Sequence, residues 1–258
     1  MDLDISGLRV LVTAGAAGIG LEIARAFARE GARIHVCDVD RTALASLPGS
    51  DPGLTASYGD VADREDVVRV FADALSALGG LDVLVNNAGI AGPTGRVEEI
   101  HPEDWDRCLE VCITGQFNCV RLAVPHLKES RNGSIVNLSS AAGRAGFAMR
   151  TPYSAAKWAV IGFTKSLSRE LGEFGIRVNA ILPGLVSGDR QRRVMEAKAQ
   201  QLGISYAEME ASAFANASLK EYVTPQQLAD QIVFLCSPRG RTISGQAISV
   251  DGDLQMLA

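Results

Sequence analysis

The stretch Leu8-Arg9-Val10-Leu11-Val12-Thr13-Ala14-Gly15-Ala16-Ala17-Gly18-Ile19-Gly20 decides the reading of this chain. Its first half is a Val/Leu-rich run, the pattern of a strand buried on both faces of a parallel sheet. A glycine-rich turn from Thr13 to Gly20 comes next. Beyond it, Ile19, Ile23 and Phe27 recur on one face of a helix, while Glu22, Arg25 and Arg29 take the other. Strand, turn and helix in that order make a cradle for a dinucleotide. Glycines let the backbone approach a pyrophosphate, and the helix amino terminus offers free N–H groups. Gly15, Gly18 and Gly20 depart from the common G-x-G-x-x-G order, so the inference rests on their position between strand and helix.

Working outward, short apolar runs alternate with longer amphipathic segments, which implies parallel strands joined by crossover helices. Strands are expected at Leu8 to Thr13, Arg33 to Asp38, Leu54 to Tyr58, Leu81 to Asn86, Ser134 to Leu138, Ile176 to Leu182 and Ala247 to Val250. They predict one α/β domain over residues 1–258, built on a doubly wound, seven-stranded parallel sheet. The stretch from Asp189 to Glu221 reads as helix and interrupts the rhythm. An insertion there lies beyond the carboxyl ends of the strands, where open α/β sheets bind ligands, so we assign it to a substrate-covering lid; a mere packing helix is the alternative.

Composition excludes several classes. Over 258 residues, 47% hydrophobic and 21% charged content suits a globular domain, and a net charge of −5 with no basic stripe argues against nucleic acid. No uncharged apolar run approaches the length of a membrane span, and the acidic start at Met1 to Gly7 lacks the character of a secretory signal, so the cytosol is expected. Cys37, Cys108, Cys112, Cys119 and Cys236 form no C-x-x-C pair and suit reduced thiols. Cys108, Cys112 and Cys119 recur at helical spacing and read as small buried side chains on one helix face. No histidine or acid completes a metal ligand set around them.

The chemistry is concentrated in the second half. Lys157 follows Tyr153 by four residues, which puts an ammonium and a phenol on one helix face, and Ser140 lies thirteen residues before the tyrosine. A phenolate base near neutrality needs its pKa depressed by roughly three units, or about 4 kcal/mol. An ammonium about 4 Å away supplies roughly that much at an effective dielectric near 20, but only about 1 kcal/mol in bulk water, so the pocket must be sheltered. Asp38, at the end of the second strand, is placed to accept hydrogen bonds from adenosine ribose hydroxyls and to repel a 2′-phosphate. NAD is therefore favoured over NADP, with Arg41 the residue that argues the other way.

Thr13 to Gly20, Asp60-Val61, Asn86-Asn87-Ala88-Gly89, Ser139-Ser140, Tyr153 to Lys157, Asn179 and Pro183-Gly184 together resemble the short-chain dehydrogenase/reductases across essentially the whole chain. The resemblance implies a nicotinamide-dependent oxidoreductase acting on a secondary alcohol or its ketone. Tyr153 is then the general acid/base, Lys157 the residue that lowers its pKa and holds the nicotinamide ribose, and Ser140 the donor to the substrate oxygen. It further implies that Asp60 and Val61 contact the adenine, that Asn87 lines the cofactor groove beside Ala88 and Gly89, and that Val186 lies near the nicotinamide carboxamide. A homotetramer is implied too, with the tail Ile243 to Gly252 as a final strand that supports subunit contacts.

Two positions depart from the family pattern. Cys112 stands where an asparagine usually completes a catalytic tetrad, a role exerted largely through the backbone carbonyl. Gly188 stands where many relatives carry threonine, with Ser187 as a substitute hydroxyl. Arg144 and Arg150 flank the catalytic loop, and Arg190, Arg192 and Arg193 begin the lid. Guanidinium groups suit carboxylates and phosphates, so Arg144, Arg150 and Arg190 are expected to meet an anionic substrate such as a hydroxy acid, a 3-oxoacyl thioester or an acidic sugar. A nucleotide-sensing or scaffold protein that has lost turnover is the competing class, which intact Ser140, Tyr153 and Lys157 argue against. A methyltransferase-type Rossmann protein has no use for the tyrosine–lysine pair.

Overall fold

The structure, a computed structural model, describes residues 2–255. Along the chain run β1 (Arg9–Thr13), α1 (Gly18–Arg29), β2 (Arg33–Asp38), α2 (Arg41–Ser50), β3 (Leu54–Tyr58), α3 (Arg64–Leu78) and β4 (Val83–Asn86). Then come α4 (Pro102–Leu109), α5 (Gly115–Leu127), β5 (Ser134–Leu138), α6 (Thr151–Leu171), β6 (Arg177–Pro183), α7 (Asp189–Leu202), α8 (Tyr206–Ala215), α9 (Pro225–Cys236) and β7 (Ala247–Val250). All seven strands pair in parallel in the order β3-β2-β1-β4-β5-β6-β7.

Strand alternation divides the core. Val10 and Val12 of β1 join Ile23 and Phe27 of α1 and Leu228 and Ile232 of α9 on one face of the sheet. Leu11, between them, joins Phe71 of α3, Val120 and Leu127 of α5 and Leu167 of α6 on the other. Each such fully buried side chain contributes about 1.5–3 kcal/mol. Helix starts reflect local chemistry. Asp40 and Asp63 accept from free N–H groups at the heads of α2 and α3, and Thr224 with Gln227 closes a capping box on α9. At α1 the residue before the helix is Ala17, which makes no such bond.

Expected strand limits shift by a residue or two, for physical reasons. β4 starts at Val83 because the Asp82 carboxylate takes the Arg9 amide and guanidinium and the Ser130 hydroxyl. β6 extends to Pro183, whose missing N–H is harmless at a strand end where the next amide, Gly184 N, donates to Val250 O. The stretch expected as one helical lid is two helices: Gly203 ends α7 in the left-handed conformation and Ser205 with Glu208 caps α8. The three-cysteine face also divides. Glu110–Thr114 forms one π-helical turn between α4 and α5, and its extra residue rotates α5 relative to α4. Cys108 and Cys112 therefore pack together near Tyr153, whereas Cys119 faces the main core.

Strand order reverses between β1 and β4, which opens a crevice beyond their carboxyl ends. Thr13 and Asp38 end β1 and β2 on that side, Asn87 follows β4 and Ser140 lies just past β5.

Candidate active site

Thr13 and Asn87 clip the crevice together. The Thr13 hydroxyl accepts from the amides of Asn87 and Ala88, each at 3.0 Å, and the Asn87 amide donates to the carbonyls of Thr13 and Ala14 at 3.0 Å. The Ala14 carbonyl is presented by a backbone at φ +50°, uncommon for a residue with a side chain. Gly20 packs so tightly beneath this clip that a Cβ there would overlap the Ala14 carbonyl and the Asn87 amide. Gly15 packs on Val36, where a Cβ would come to 2.7 Å, and Gly18 turns the chain at φ +55° into α1. The uncapped amino terminus of α1, with Ile19 in its first turn, is thus left with unpaired N–H groups beside a close-packed backbone. Those features fit a pyrophosphate-bearing dinucleotide.

Asp38 closes β2 at the same crevice, 9% exposed, accepting from Ala16 N and Asp40 N at 3.1 Å. Arg41 stacks 3.6 Å over the ring of Tyr58, which lies opposite Asp38 on β3. Asp60 accepts from Arg107 at 2.5 Å and from Ala62 N at 2.9 Å, while Val61 is buried against Gly115. Pro183 and Gly184 end β6 against β7, and Val186 bridges to Val223, which anchors the segment leading to α7. Asn179 belongs to the same anchor, with its amide bonded to Ile243 O and Gln246 N.

The proton-handling group assembles around the head of α6. Lys157 Nζ lies 5.6 Å from the Tyr153 ring centroid, 3% exposed, and donates to Leu138 O at 2.7 Å. An ammonium has three protons, so two remain for other acceptors. Burial opposes ionisation of the Tyr153 phenol, but Lys157, Arg190 and a hydrogen bond to Ser140 outweigh it and hold the phenol below its ordinary value. The two adjacent serines have separate tasks. Ser139 is buried and donates to Lys157 O at 2.7 Å, which positions the helix, while Ser140 is left beside the phenol. Cys112 is fully buried in the π-helical turn, its thiol donating to Ile90 O at 3.5 Å, and a Cβ on Gly89 would come within 3.6 Å of its sulfur and 3.4 Å of Lys157 Nζ.

The arginines expected at the substrate separate into two kinds. Arg144 is held by Asp251 at 2.7 Å and by Leu254 O at 2.9 Å, so its charge pins the chain after β7. Arg150 is 7% exposed, stacks 4.7 Å over the Tyr153 ring and donates to Ala91 O at 2.6 Å. Arg190 reaches across from α7 to donate to Gly89 O at 3.0 Å. A cleft of about 390 Å³ lies between α7 and the loop from Gly89 to Thr94. Lys198 of α7, absent from the sequence-based site, extends over the Phe147 ring at 5.5 Å and is partly buried beside Arg150. Its signal was available: Arg190, Val194 and Lys198 recur every four residues, one face of a helix.

Comparison with known proteins agrees with this geometry. A sequence model described as enoyl-(acyl carrier protein) reductase matches residues 14–254. The chain is similar to a 3-oxoacyl-(acyl-carrier-protein) reductase of Thermotoga maritima, 35% identical over 254 residues that cover 97% of this chain and 98% of that protein. It is also similar to a D-beta-hydroxybutyrate dehydrogenase of Cupriavidus necator, 34% identical over 254 residues covering 96% of this chain and 98% of that protein. Among solved structures, a variant of actinorhodin polyketide ketoreductase with NADPH superposes with a TM-score of 0.90 at 32% identity, covering 96% of this chain and 97% of that one. With the switch-point crevice, the glycine cradle and the Ser140, Tyr153 and Lys157 cluster in place, the chain belongs to the short-chain dehydrogenase/reductase family of oxidoreductases.

Proposed function

We propose that this protein interconverts a secondary alcohol and its ketone, with Tyr153 as the general acid/base. The observation that carries the reading is the phenol in its setting: partly buried, with Lys157 Nζ 5.6 Å from its ring centroid, and held below its ordinary pKa by Lys157, Arg190 and Ser140. A nicotinamide dinucleotide, when bound, accepts or supplies the hydride. Thr13, Gly15, Gly18, Gly20 and Asn87 shape the cradle that would hold its pyrophosphate. In oxidation the Tyr153 phenolate takes the hydroxyl proton; in reduction the phenol returns it. Ser140 donates to the substrate oxygen and steadies charge that develops there. Lys157 and Ser139 act on the geometry, the first through its charge and the second by holding the Lys157 carbonyl.

NAD is the proposed carrier, NADP the lesser one. The Asp38 carboxylate stands at the end of β2, where a 2′-phosphate would meet like charge, and Arg41, the cation that could offset it, is stacked on Tyr58. Assembly as a homotetramer is proposed on the apolar rings that two helices leave outward, Phe117 of α5 at 45% exposure and Trp158 of α6 at 52%. No helix among the described residues is long and apolar enough to cross a membrane. Five buried, unpaired cysteines support a reducing, cytoplasmic setting.

The test is direct. Fluorescence of NADH during incubation with a panel of hydroxy acids, polyols and cyclic alcohols should reveal turnover, and Tyr153→Phe should reduce it by at least about 1000-fold. Activity that survives this substitution would remove Tyr153 from the mechanism.

A further inference from the structure

Arg150 and Arg190 act on Tyr153 and Lys198 lies beside Arg150, with no carboxylate paired to any of the three. Among the described residues, none of the ion pairs includes Arg150, Arg190 or Lys198. Arg190 is committed to Gly89 O, which ties one end of α7 across the crevice. Lys198, two turns further along the same face, reaches the turn from Phe147 to Arg150, closed by Arg150 N donating to Phe147 O at 3.3 Å. Arg150 spends one terminal nitrogen on Ala91 O, but its Nε is buried without any partner. A buried donor left unpaired is costly, and here it belongs to a cation with a second cation beside it. Burial and the neighbouring charge both weigh against the protonated form of Lys198, in that order. An anion between the two would satisfy the donor and offset the repulsion.

Position sets the size of that anion's carrier. Arg150 immediately precedes α6 and Tyr153 lies three residues later, so their side chains share one face and the guanidinium rests on the phenol ring. An acceptor on Arg150 Nε is thus about one ring's width from the point of proton transfer. Ala91 O takes one of the five guanidinium N–H groups, and the fork that remains matches a planar carboxylate.

We infer that the substrate is a short hydroxy acid, or the matching oxo acid, whose carboxylate sits on Arg150 Nε beneath Lys198, within two or three carbons of the carbon oxidised at Tyr153. The inference rests on the proposed oxidoreductase activity and adds to it the substrate class and a specificity residue on the lid. A long acyl thioester would offer Arg150 Nε a neutral carbonyl oxygen at that place and leave the two cations without a counter-charge.

The deciding experiment compares 3-hydroxybutanoate and 2-hydroxybutanoate with their amides as substrates of the purified protein with NAD. At least one acid should exceed its amide by about 100-fold in kcat/KM. Arg150→Met should collapse that ratio to below about 5-fold, and Arg150→Lys should restore part of it. Lys198→Met should raise KM for the acid by about 10-fold with a smaller change in kcat. Calorimetric titration of the NADH-loaded protein with 3-oxobutanoate gives a readout free of turnover, and Arg150→Met should abolish its binding heat. If neutral alcohols turn over through Tyr153 while neither acid has an advantage, this inference fails and the oxidoreductase reading stands. If nothing turns over but 3-oxobutanoate binds in an Arg150-dependent way, the reading fails and the anion site stands. Binding that is absent, or indifferent to both substitutions, overturns the site.

Discussion

Two arginines buried to almost the same degree, Arg177 at 5% exposure and Arg150 at 7%, sit at opposite ends of the sheet and behave differently. Arg177 opens β6 beneath the carboxyl end of α9. It donates to the carbonyls of Leu235 and Cys236, where helix carbonyls lack intrahelical partners, and to the Asn132 side chain at 2.9 Å. Arg150, beyond β5 and just ahead of α6, makes one bond to Ala91 O and leaves Nε unpaired. Neither faces a carboxylate. The contrast separates a cation the fold uses to finish a helix from one the fold leaves unfinished at the mouth of the crevice, which marks the second as part of a binding site.

The comparison is most sharply tested at Arg177. Replacing it with alanine leaves the Leu235 carbonyl and the Asn132 side-chain carbonyl without a donor, while Cys236 O keeps the Asn132 amide, and opens a cavity. Urea denaturation should show a loss of roughly 4 kcal/mol. A loss under about 1 kcal/mol would mean that water takes over these carbonyls and that the two sites do not differ as described.

A second test uses pH at the structural core. His35 on β2 is bonded through both ring nitrogens, to Thr55 at 2.9 Å and Ser57 at 2.8 Å, and Ser57 in turn donates to Asp73. Burial lowers its pKa from 6.5 to about 4, against a smaller opposing pull from Asp73. Between those values the unfolded chain binds a proton that the folded protein refuses. The stability is therefore fully present above about pH 6.5 and falls by roughly 3 kcal/mol as pH drops to about 4. Denaturation midpoints across that window should show the loss, and His35→Gln should flatten it; parallel curves for the two proteins would assign the acid sensitivity elsewhere.

The smallest effect belongs to Arg150. Arg150→Met exchanges a buried cation with an orphaned donor for a side chain of similar length and loses one bond to Ala91 O. Its effect on unfolding free energy should stay within about 1 kcal/mol in either direction. A loss as large as that of Arg177→Ala would show Arg150 to be a fold-finishing residue after all.

Much of the architecture was legible in the chain. β2, β3, β5 and β7 lie where their strand-forming runs were read, since turn residues bound each run. Ser140 was named through the family resemblance, and in the structure Ser139 is occupied with the Lys157 carbonyl. The π-helical turn at Glu110–Thr114 was not legible, because one extra residue in a helix leaves no mark in hydrophobic periodicity over so short a span. Asn87 was read only through resemblance, and its work in holding the glycine-rich turn emerged from the approach of β4 to β1.

The arginines mark the boundary most clearly. Residue type and local order determined the nucleotide cradle, the tyrosine–lysine pair and the sheet, because each depends on neighbours within a turn or two or on a strand's own pattern. Only the tertiary structure decided that Arg144 is neutralised by Asp251, more than a hundred residues away, that Arg150 is buried with a spare donor, and that Lys198 of α7 comes close enough to feel its charge. A charge acts through what lies within a few ångströms of it, and those neighbours come from segments that the chain order keeps apart.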